Sequence, residues 1–196
     1  KYWKFKMIKV WDYKNEYKEL RKDFLKSIDG VFKSGTLVFG PQLDNFEKNF
    51  KKYIGTKFGL GVGNGTDALY IALKACGIGN GDEVITTSNT AVPTVTAIVN
   101  AGAKPKFVDV NNFYLMNPKL IEDKINKNTK AIIPVHLYGQ SCDMKKINLI
   151  AKKFNLRVIE DCAQSHGSTY FGKKTGSLSD IGCFSFYPTK ILGGYG

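Results

Sequence analysis

Apolar residues recur along the chain with two different spacings, and the spacing changes several times. In two N-terminal stretches, 15–32 and 41–55, they lie three and four residues apart, which predicts two amphipathic helices. From residue 57 onward, short apolar runs alternate with stretches of helical spacing. The predicted strands are 57–62, 83–87, 104–110, 130–135, 156–160 and 181–186, and the predicted helices between them are 66–77, 94–102, 117–125 and 143–154.

This alternation of strands and helices predicts an α/β fold with a mostly parallel sheet. No internal repeat, low-complexity tract or linker interrupts the pattern. We expect one domain over residues 35–196, preceded by an N-terminal helical segment over residues 1–34. We also expect translation to begin naturally at Met7, which would make residues 1–6 upstream sequence.

Composition and charge exclude several classes of protein. Hydrophobic residues make up 43% of the 196 residues, which is typical of a globular chain and not of a disordered one. No apolar run approaches the ~20 residues of a membrane span, and the basic N-terminus lacks the features of a signal peptide. The net charge of +12 comes from lysines spread over the chain without a nucleic-acid motif. We therefore expect neither a membrane nor a nucleic-acid partner, whereas a phosphorylated cofactor or substrate would suit the positive field.

Cysteine and histidine usage indicates neither disulfides nor a metal site. The four cysteines show no paired spacing, and without an export signal they predict reduced thiols in the cytoplasm. A zinc site would have to draw on His136, Cys142, Cys162 and His166, whose spacing matches no ligand pattern. We expect no metal.

Ligands bind parallel sheets of this class at the carboxyl ends of the strands, so the residues that follow each predicted strand are the candidates for chemistry. After strand 57–62, Gly63 and Gly65 permit a tight turn, and Thr66 opens a helix whose N-terminus could hold a phosphate. The same glycines are equally compatible with an ordinary strand-to-helix turn, because neither a dinucleotide fingerprint nor a Walker lysine accompanies them.

Two further strand ends carry ionisable side chains. Asp161 follows a hydrophobic strand and needs a partner to offset its desolvation, either as the cap of a turn or as a carboxylate that faces a cationic ligand atom. Lys190 lies among aromatic, proline and glycine residues beyond the last strand, as a surface residue or as a partly desolvated, nucleophilic amine. Pyridoxal phosphate requires a phosphate anchor, an acid for its ring nitrogen and a lysine amine, and these three features occur together here.

The motifs as a set resemble one enzyme family. The stretches "NGTDAL", "NTAVPTVTAIVNAGAKPKFVDV", "PVHLYGQ", "EDCAQSHGS" and "SDIGCFSFYPTK" are similar to those of the DegT/DnrJ/EryC1/StrS sugar aminotransferases. The resemblance covers nearly all of residues 7–196. It implies the three-layer large domain of the fold-type I enzymes that depend on pyridoxal phosphate, the fold of aspartate aminotransferase.

The resemblance also implies roles for individual residues. Lys190 would bind the cofactor covalently and act in catalysis, and Asp161 would pair with the pyridine nitrogen. Gln164 would lie beside the phenolic oxygen, and the phosphate would be held by Gly65, Thr66 and Ser185. Many relatives carry an aromatic residue that stacks on the cofactor where this chain has Ala91, so here Ala91 or Val92 would give only an apolar contact.

The activity implied by the resemblance is transamination of a nucleotide-linked keto sugar, for surface polysaccharide or amino-sugar biosynthesis. The expected acceptor is a dTDP-3-keto-6-deoxyhexose and the expected amino donor is glutamate. Amination at C4 of a UDP- or GDP-4-keto sugar, or cofactor binding without catalysis, are the alternatives. Family members form homodimers and continue past the lysine into a small C-terminal domain. We therefore expect this chain to be an incomplete large domain that is inactive alone.

Overall fold

The structure is a computed structural model that describes residues 8–195. It contains two compact units, of which the first ends at Lys48 and the second begins at Asn49. The domain division predicted after residue 34 stays a prediction, and the predicted start at Met7 lies outside the described residues. No helix within residues 8–195 combines the length and the apolar character needed to cross a membrane.

Both predicted N-terminal helices are present. Helix α1 spans Tyr13–Ser34, and Gly35 ends it in a left-handed conformation (φ 67°), in which its amide donates to the carbonyl of Phe32. Helix α2 spans Pro41–Ile54, with proline at its first position, where the missing N–H costs no hydrogen bond.

The second unit carries the predicted α/β arrangement. Its strands are β1 (Glu83–Thr87), β2 (Lys104–Val108), β3 (Thr129–Ile132), β4 (Arg157–Asp161), β5 (Thr169–Tyr170), β6 (Lys173–Lys174) and β7 (Ile181–Cys183), and its helices are α3 (Gly65–Ala75), α4 (Val92–Asn100) and α5 (Met144–Lys153). Five of the strands form a parallel sheet in the order β2-β1-β3-β4-β7, and β5 pairs with β6 in a short antiparallel hairpin that the apolar pattern did not predict.

Two hydrophobic cores, one on each face of the sheet, create the three layers. Successive residues of a strand point to opposite faces, so Val158 faces the core that contains α5, while Ile159 faces the core that contains α3 and α4. The α5 side is filled by Ile85, Ile132, Val158, Met144 and Ile147, and the α3/α4 side by Leu69, Leu73, Val84, Ile98, Ile133 and Ile159. The predicted three-layer α/β fold is thus confirmed.

Two predicted elements are wrong. Residues 57–62 form no strand among the described residues: Gly59 and Gly61 offer no side chain for packing, and Phe58 and Leu60 are about three quarters exposed. Residues 117–125 form two short 3-10 turns, Pro118–Leu120 and Glu122–Lys124, where an α-helix was predicted. Ile121 lies between the two turns and is fully buried.

The strand order also determines where a ligand can bind. The chain runs from β1 outward to β2 and then returns to the other side of β1 as β3. The loops therefore diverge between β1 and β3, which leaves a crevice at the carboxyl ends of the strands. The register between β4 and β7 aligns Asp161 with Cys183, so the segment that follows β7 begins beside Asp161.

The core between α3 and the sheet yields a prediction about stability. Leu73→Ala should lower the free energy of unfolding by about 2–5 kcal/mol, because Leu73 is fully buried and its loss leaves a cavity. Leu149→Ala is the matched control, since Leu149 lies 61% exposed on α5, and it should change that free energy by no more than about 0.5 kcal/mol. Urea unfolding followed by circular dichroism measures both. Equal losses in the two variants would contradict the assigned packing.

Candidate active site

Asp161 is the last residue of β4, at the carboxyl edge of the sheet, and only 5% of its surface is exposed. Its Oδ2 accepts a hydrogen bond from the Thr94 hydroxyl at 2.7 Å, and its Oδ1 accepts one from the Ala163 amide at 3.1 Å. Burial raises the pKa of the Asp161 carboxyl, although the two hydrogen bonds and the positive charge of Lys190 act in the opposite direction. Asp161 is therefore a desolvated carboxylate that a cationic ligand atom would stabilise.

Thr94 and Thr90 belong to this site and were missed as functional residues. Thr94 is fully buried in the first turn of α4, and its hydroxyl lies 2.7 Å from that of Thr90. A signal was available, because Thr94 precedes the buried Ala97 and Ile98 by three and four residues and so shares the apolar face of α4. A hydroxyl on such a face needs a hydrogen-bond partner, and the partner is Asp161.

The N-terminus of α3 meets the segment after β7. A Cβ atom on Gly65 would lie 2.9 Å from Cβ of Ser185, closer than ordinary side chains approach, so only glycine permits this contact. The Asn64 side chain caps the helix by accepting from the Asp67 amide at 2.9 Å, and the helical ladder begins with the Ala68 amide. The amides of Gly65 and Thr66 are thus the first-turn donors left for an anion, with the Ser185 hydroxyl beside them.

A tight turn and a longer loop, each closed by a backbone hydrogen bond, hold Lys190 near the same edge of the sheet. The Lys190 amide donates to the carbonyl of Tyr187 at 2.8 Å, and the Gly194 amide donates to that of Phe186 at 2.7 Å. The Lys190 side chain is half-buried, and its positive charge lowers the pKa of both Asp161 and His166. The structure therefore brings Lys190 and Asp161 into one electrostatic environment, although they are 29 positions apart in the sequence.

Gln164 is held by the loop that follows β3. Its side-chain Oε1 accepts a hydrogen bond from the Tyr138 amide at 2.9 Å. Tyr138 adopts a left-handed backbone (φ 58°) that directs this amide, and the next residue, Gly139, does the same (φ 82°). Ala91 and Val92, the expected apolar neighbours of the cofactor, are exposed at the start of α4.

On the opposite face of β4, Glu160 forms a buried pair with His136. The His136 Nε2 lies 2.9 Å from Glu160 Oε2, and both side chains are completely buried. The Cys142 amide donates to His136 Nδ1, so Nε2 carries the ring proton and donates to the carboxylate. Glu160 also accepts from Gly176, Leu178 and Ser179, which anchors the segment before β7.

The residues weighed for a zinc site are engaged in other contacts. His136, Glu160 and Cys162 bring their ligand atoms within 4.8 Å of one another, but the histidine and the carboxylate already bond each other. Burial raises the pKa of the Cys142 thiol to about 12 and that of Cys162 above its usual value, which keeps both protonated. His166 lies apart from them, with its ring centroid 5.3 Å from those of both Phe184 and Phe186.

His166 is an unusual buried histidine. Neither ring nitrogen meets a partner at hydrogen-bond geometry within the described structure, although the backbone of Ser185 is close enough to raise its pKa. Burial has the larger effect and lowers the pKa of His166, in the same direction as the charge of Lys190. His166 is therefore a neutral aromatic neighbour of Ser185.

Comparisons with known proteins define the class. The family model of the DegT/DnrJ/EryC1/StrS aminotransferases matches residues 18–196, and the chain belongs to this family. A dTDP-3-amino-3,4,6-trideoxy-alpha-D-glucose transaminase from Micromonospora megalomicea subsp. nigra is 48% identical over 188 residues, which are 95% of this chain and 50% of that protein. The chain spans about half the length of the curated relatives it matches.

Solved structures agree with the fold and with the cofactor class. The X-ray structure of S. venezuelae DesV superimposes with a TM-score of 0.93 at 40% identity, covering 96% of this chain and 51% of that one. NtdA from Bacillus subtilis, solved with its bound cofactor PMP, gives a TM-score of 0.85 at 38% identity over 89% of this chain and 40% of that one. The family depends on pyridoxal phosphate, as the sequence predicted.

The positions of the candidate site residues are also compatible with this cofactor. The close approach of Gly65 to Ser185, beside the first-turn amides of α3, forms an anion cradle that a larger residue would fill. The buried Asp161 supplies an acceptor for a protonated ring nitrogen, and Lys190 supplies an amine nearby.

The cradle yields a prediction about phosphate binding. Gly65→Ala should weaken pyridoxal phosphate binding by about tenfold, a loss of about 1.4 kcal/mol, because the added methyl displaces Ser185. Binding of pyridoxal, which lacks the phosphate, should change much less. Fluorescence titration of both compounds measures the ratio. Gly79→Ala is the control, since its added methyl makes only ordinary contact, 3.5 Å from Lys74 Nζ. An equal loss for both compounds would contradict a phosphate cradle.

The raised pKa of Asp161 predicts how stability depends on pH in the cofactor-free chain. In the interval above the unfolded value of 3.8, the folded chain retains a proton that the unfolded chain has lost, so stability falls as pH rises through this interval. Asp161→Asn removes this effect. The difference in free energy of unfolding, variant minus wild type, should therefore increase as the pH rises above 3.8 in urea titrations. The exposed carboxyl variant Asp123→Asn should give a flatter difference, and a falling difference for Asp161→Asn would contradict the raised pKa.

Proposed function

We propose that the natural protein containing this chain transfers an amino group from an amino acid to a nucleotide-linked keto sugar, with pyridoxal phosphate as cofactor. The observation that carries the proposal is the convergence of Lys190 and the buried Asp161 at one edge of the sheet, where Gly65 also contacts Ser185. These are the amine, the acid and the phosphate anchor that the cofactor requires. When bound, pyridoxal phosphate acts as an electron sink that stabilises negative charge at the carbon attached to the amine.

Each site residue then has a defined task. Gly65, Thr66 and Ser185 hold the phosphate through first-turn amides and a hydroxyl. Asp161 keeps the ring nitrogen protonated from within its buried environment, where Coulombic attraction is stronger than in water. Gln164 lies beside the phenolic oxygen and is itself held by Tyr138.

Lys190 has two tasks in this proposal. Its amine would hold the cofactor covalently when pyridoxal phosphate is bound. The Nζ atom takes up the proton that leaves the α-carbon of the donor, and later delivers a proton to the sugar carbon that receives the amine.

The substrate that we propose is a dTDP-3-keto-6-deoxyhexose, and the donor is glutamate. The relative from Micromonospora, whose name specifies a dTDP-linked sugar aminated at C3, supports this choice. The net charge of +12 suits a nucleotide diphosphate. We place the enzyme, as a homodimer, in cytoplasmic amino-sugar or surface polysaccharide biosynthesis.

Covalent labelling tests the role of Lys190. Borohydride reduction of the natural full-length protein after incubation with pyridoxal phosphate should attach the cofactor to the peptide that contains Lys190, because this amine is near enough for its charge to act on Asp161. Peptide mapping by mass spectrometry locates the label. Lys190→Ala should lose both the label and transamination, whereas Lys130→Ala, an exposed lysine at the start of β3, should retain both. A label on another lysine would refute the assignment.

The same preparation identifies the sugar. Incubation with glutamate and the dTDP-3-keto-6-deoxyhexose should yield 2-oxoglutarate and a 3-amino sugar, whose amine position nuclear magnetic resonance determines. Turnover with UDP- or GDP-4-keto sugars alone would replace the proposed substrate by the C4 alternative and leave the cofactor assignment intact.

A further inference from the structure

Two hydroxyl groups, one buried and one half-buried, form a chain that ends on Asp161. The Thr94 hydroxyl donates to Asp161 Oδ2 at 2.7 Å, a short distance that is typical of a hydrogen bond to a charged acceptor. The Thr90 hydroxyl lies 2.7 Å from that of Thr94. Thr94 and Asp161 are both buried, so water does not compete for the bond between them.

Proton counting gives this chain a direction. A threonine hydroxyl carries one proton, and that of Thr94 is donated to Asp161. In the bond between the two hydroxyls, Thr94 must therefore accept and Thr90 must donate. Both O–H dipoles then point toward the carboxylate, which favours its ionised form. A protonated Asp161 that donated its proton to Thr94 would require both hydroxyls to reverse.

The remaining bonds of Asp161 orient the carboxylate. Oδ1 accepts from the Ala163 amide, at the turn that follows β4, and Oδ2 accepts from Thr94 on α4. Each oxygen is thus held by a different structural element: Oδ1 by the turn after β4 and Oδ2 by α4. Each also keeps lone-pair capacity for another donor, since a carboxylate offers about four acceptor positions.

We propose that Thr94 is a positioning residue that, oriented by Thr90, keeps Asp161 ionised and directed at the ring nitrogen of the cofactor. This inference rests on the proposed function, because it assigns Asp161 to that nitrogen. Without the Thr94 hydroxyl, the carboxylate loses one of its two donors and becomes more basic. The proton shared by Asp161 and the ring nitrogen then moves toward Asp161, and the ring loses the positive charge on which its electron withdrawal depends.

Four variants separate this role from simple packing. Thr94→Val removes the hydroxyl and keeps the shape of the side chain, whereas Thr94→Ser keeps the hydroxyl. Thr90→Val removes the orienting donor and leaves the Thr94 bond in place. Thr86→Val is the matched control, because Thr86 is also fully buried and donates its hydroxyl to the Ile133 carbonyl at 3.0 Å, within the sheet.

The test uses the natural full-length protein with pyridoxal phosphate isotopically labelled at its ring nitrogen. Nuclear magnetic resonance of that nitrogen over a pH series reports its protonation directly. In Thr94→Val, the ratio of protonated to neutral ring nitrogen should fall about tenfold at every pH at which the pair still holds its shared proton, equivalent to about one unit in the difference between the pKa values of the nitrogen and the carboxyl. The kcat of transamination should fall about tenfold, while KM for the keto sugar should stay near the wild-type value. Thr90→Val should show a smaller shift in the same direction, and Thr94→Ser and Thr86→Val should match the wild type.

The outcomes distinguish the two proposals. A wild-type protein that binds no pyridoxal phosphate would overturn the proposed function, and this inference with it. Normal binding together with a wild-type nitrogen titration in Thr94→Val would overturn the inference alone. Equal effects of Thr86→Val and Thr94→Val would also overturn it, because they would show general loss of buried hydrogen bonding. If Thr94→Val does not fold, Thr90→Val decides, since its half-buried side chain leaves the Thr94 bond to Asp161 intact.

Discussion

The arrangement of this site depends on one carboxylate that is buried at the end of a strand. Taking the Asp161 side chain out of water is unfavourable, and its pKa is raised accordingly. Two hydrogen bonds and the charge of Lys190 compensate for part of this cost. The compensation is incomplete, which leaves the site ready to bind a cationic group. The buried Asp161 carboxylate is therefore stabilised only when three parts of the fold are correctly placed: the end of β4, the start of α4 and the segment after β7.

The alternation of side chains along β4 places two adjacent carboxylates on opposite faces of the sheet. Ile159 and Asp161 face the α3/α4 side, where Thr94 lies, while Val158 and Glu160 face the α5 side. Glu160 is satisfied by His136 and by donors from residues 176–179, so it has little reason to attract a ligand. Glu160 and Asp161 thus have different surroundings because successive side chains of a strand point to opposite faces of the sheet. The hydrogen bonds of Glu160 to residues 176–179 fix the segment that leads into β7. They thereby help to position Ser185 beside α3.

Local patterns predicted those parts of the fold in which short-range forces dominate. Strand β1 matches its predicted bounds, because Val, Ile and Thr suit a pleated, buried strand, and α2 begins at Pro41 as predicted. Residues 57–62 and 117–125 were predicted wrongly, since their conformation depends on partners that the local pattern does not reveal. The residues that follow individual predicted strands were enough to propose part of the candidate site: Asp161, Lys190 and the glycine turn at the start of α3. The bond from Thr94 to Asp161 joins residues 67 positions apart, so it follows from packing and not from local spacing.

The contacts among distant segments also explain why glycine and small polar residues surround this site. Gly65 must approach Ser185 to within contact of its Cβ, and Gly176 lies so close to Gly182 that a Cβ on Gly182 would clash with the Gly176 Cα. Side chains at either place would separate the elements that carry the amides and the hydroxyl. Helix α3 could then still pack its apolar face on the sheet, but its first-turn amides would no longer meet Ser185. Burial of apolar surface therefore determines which layers form, whereas the absence of side chains at a few backbone crossings determines whether the layers come close enough to form a binding site.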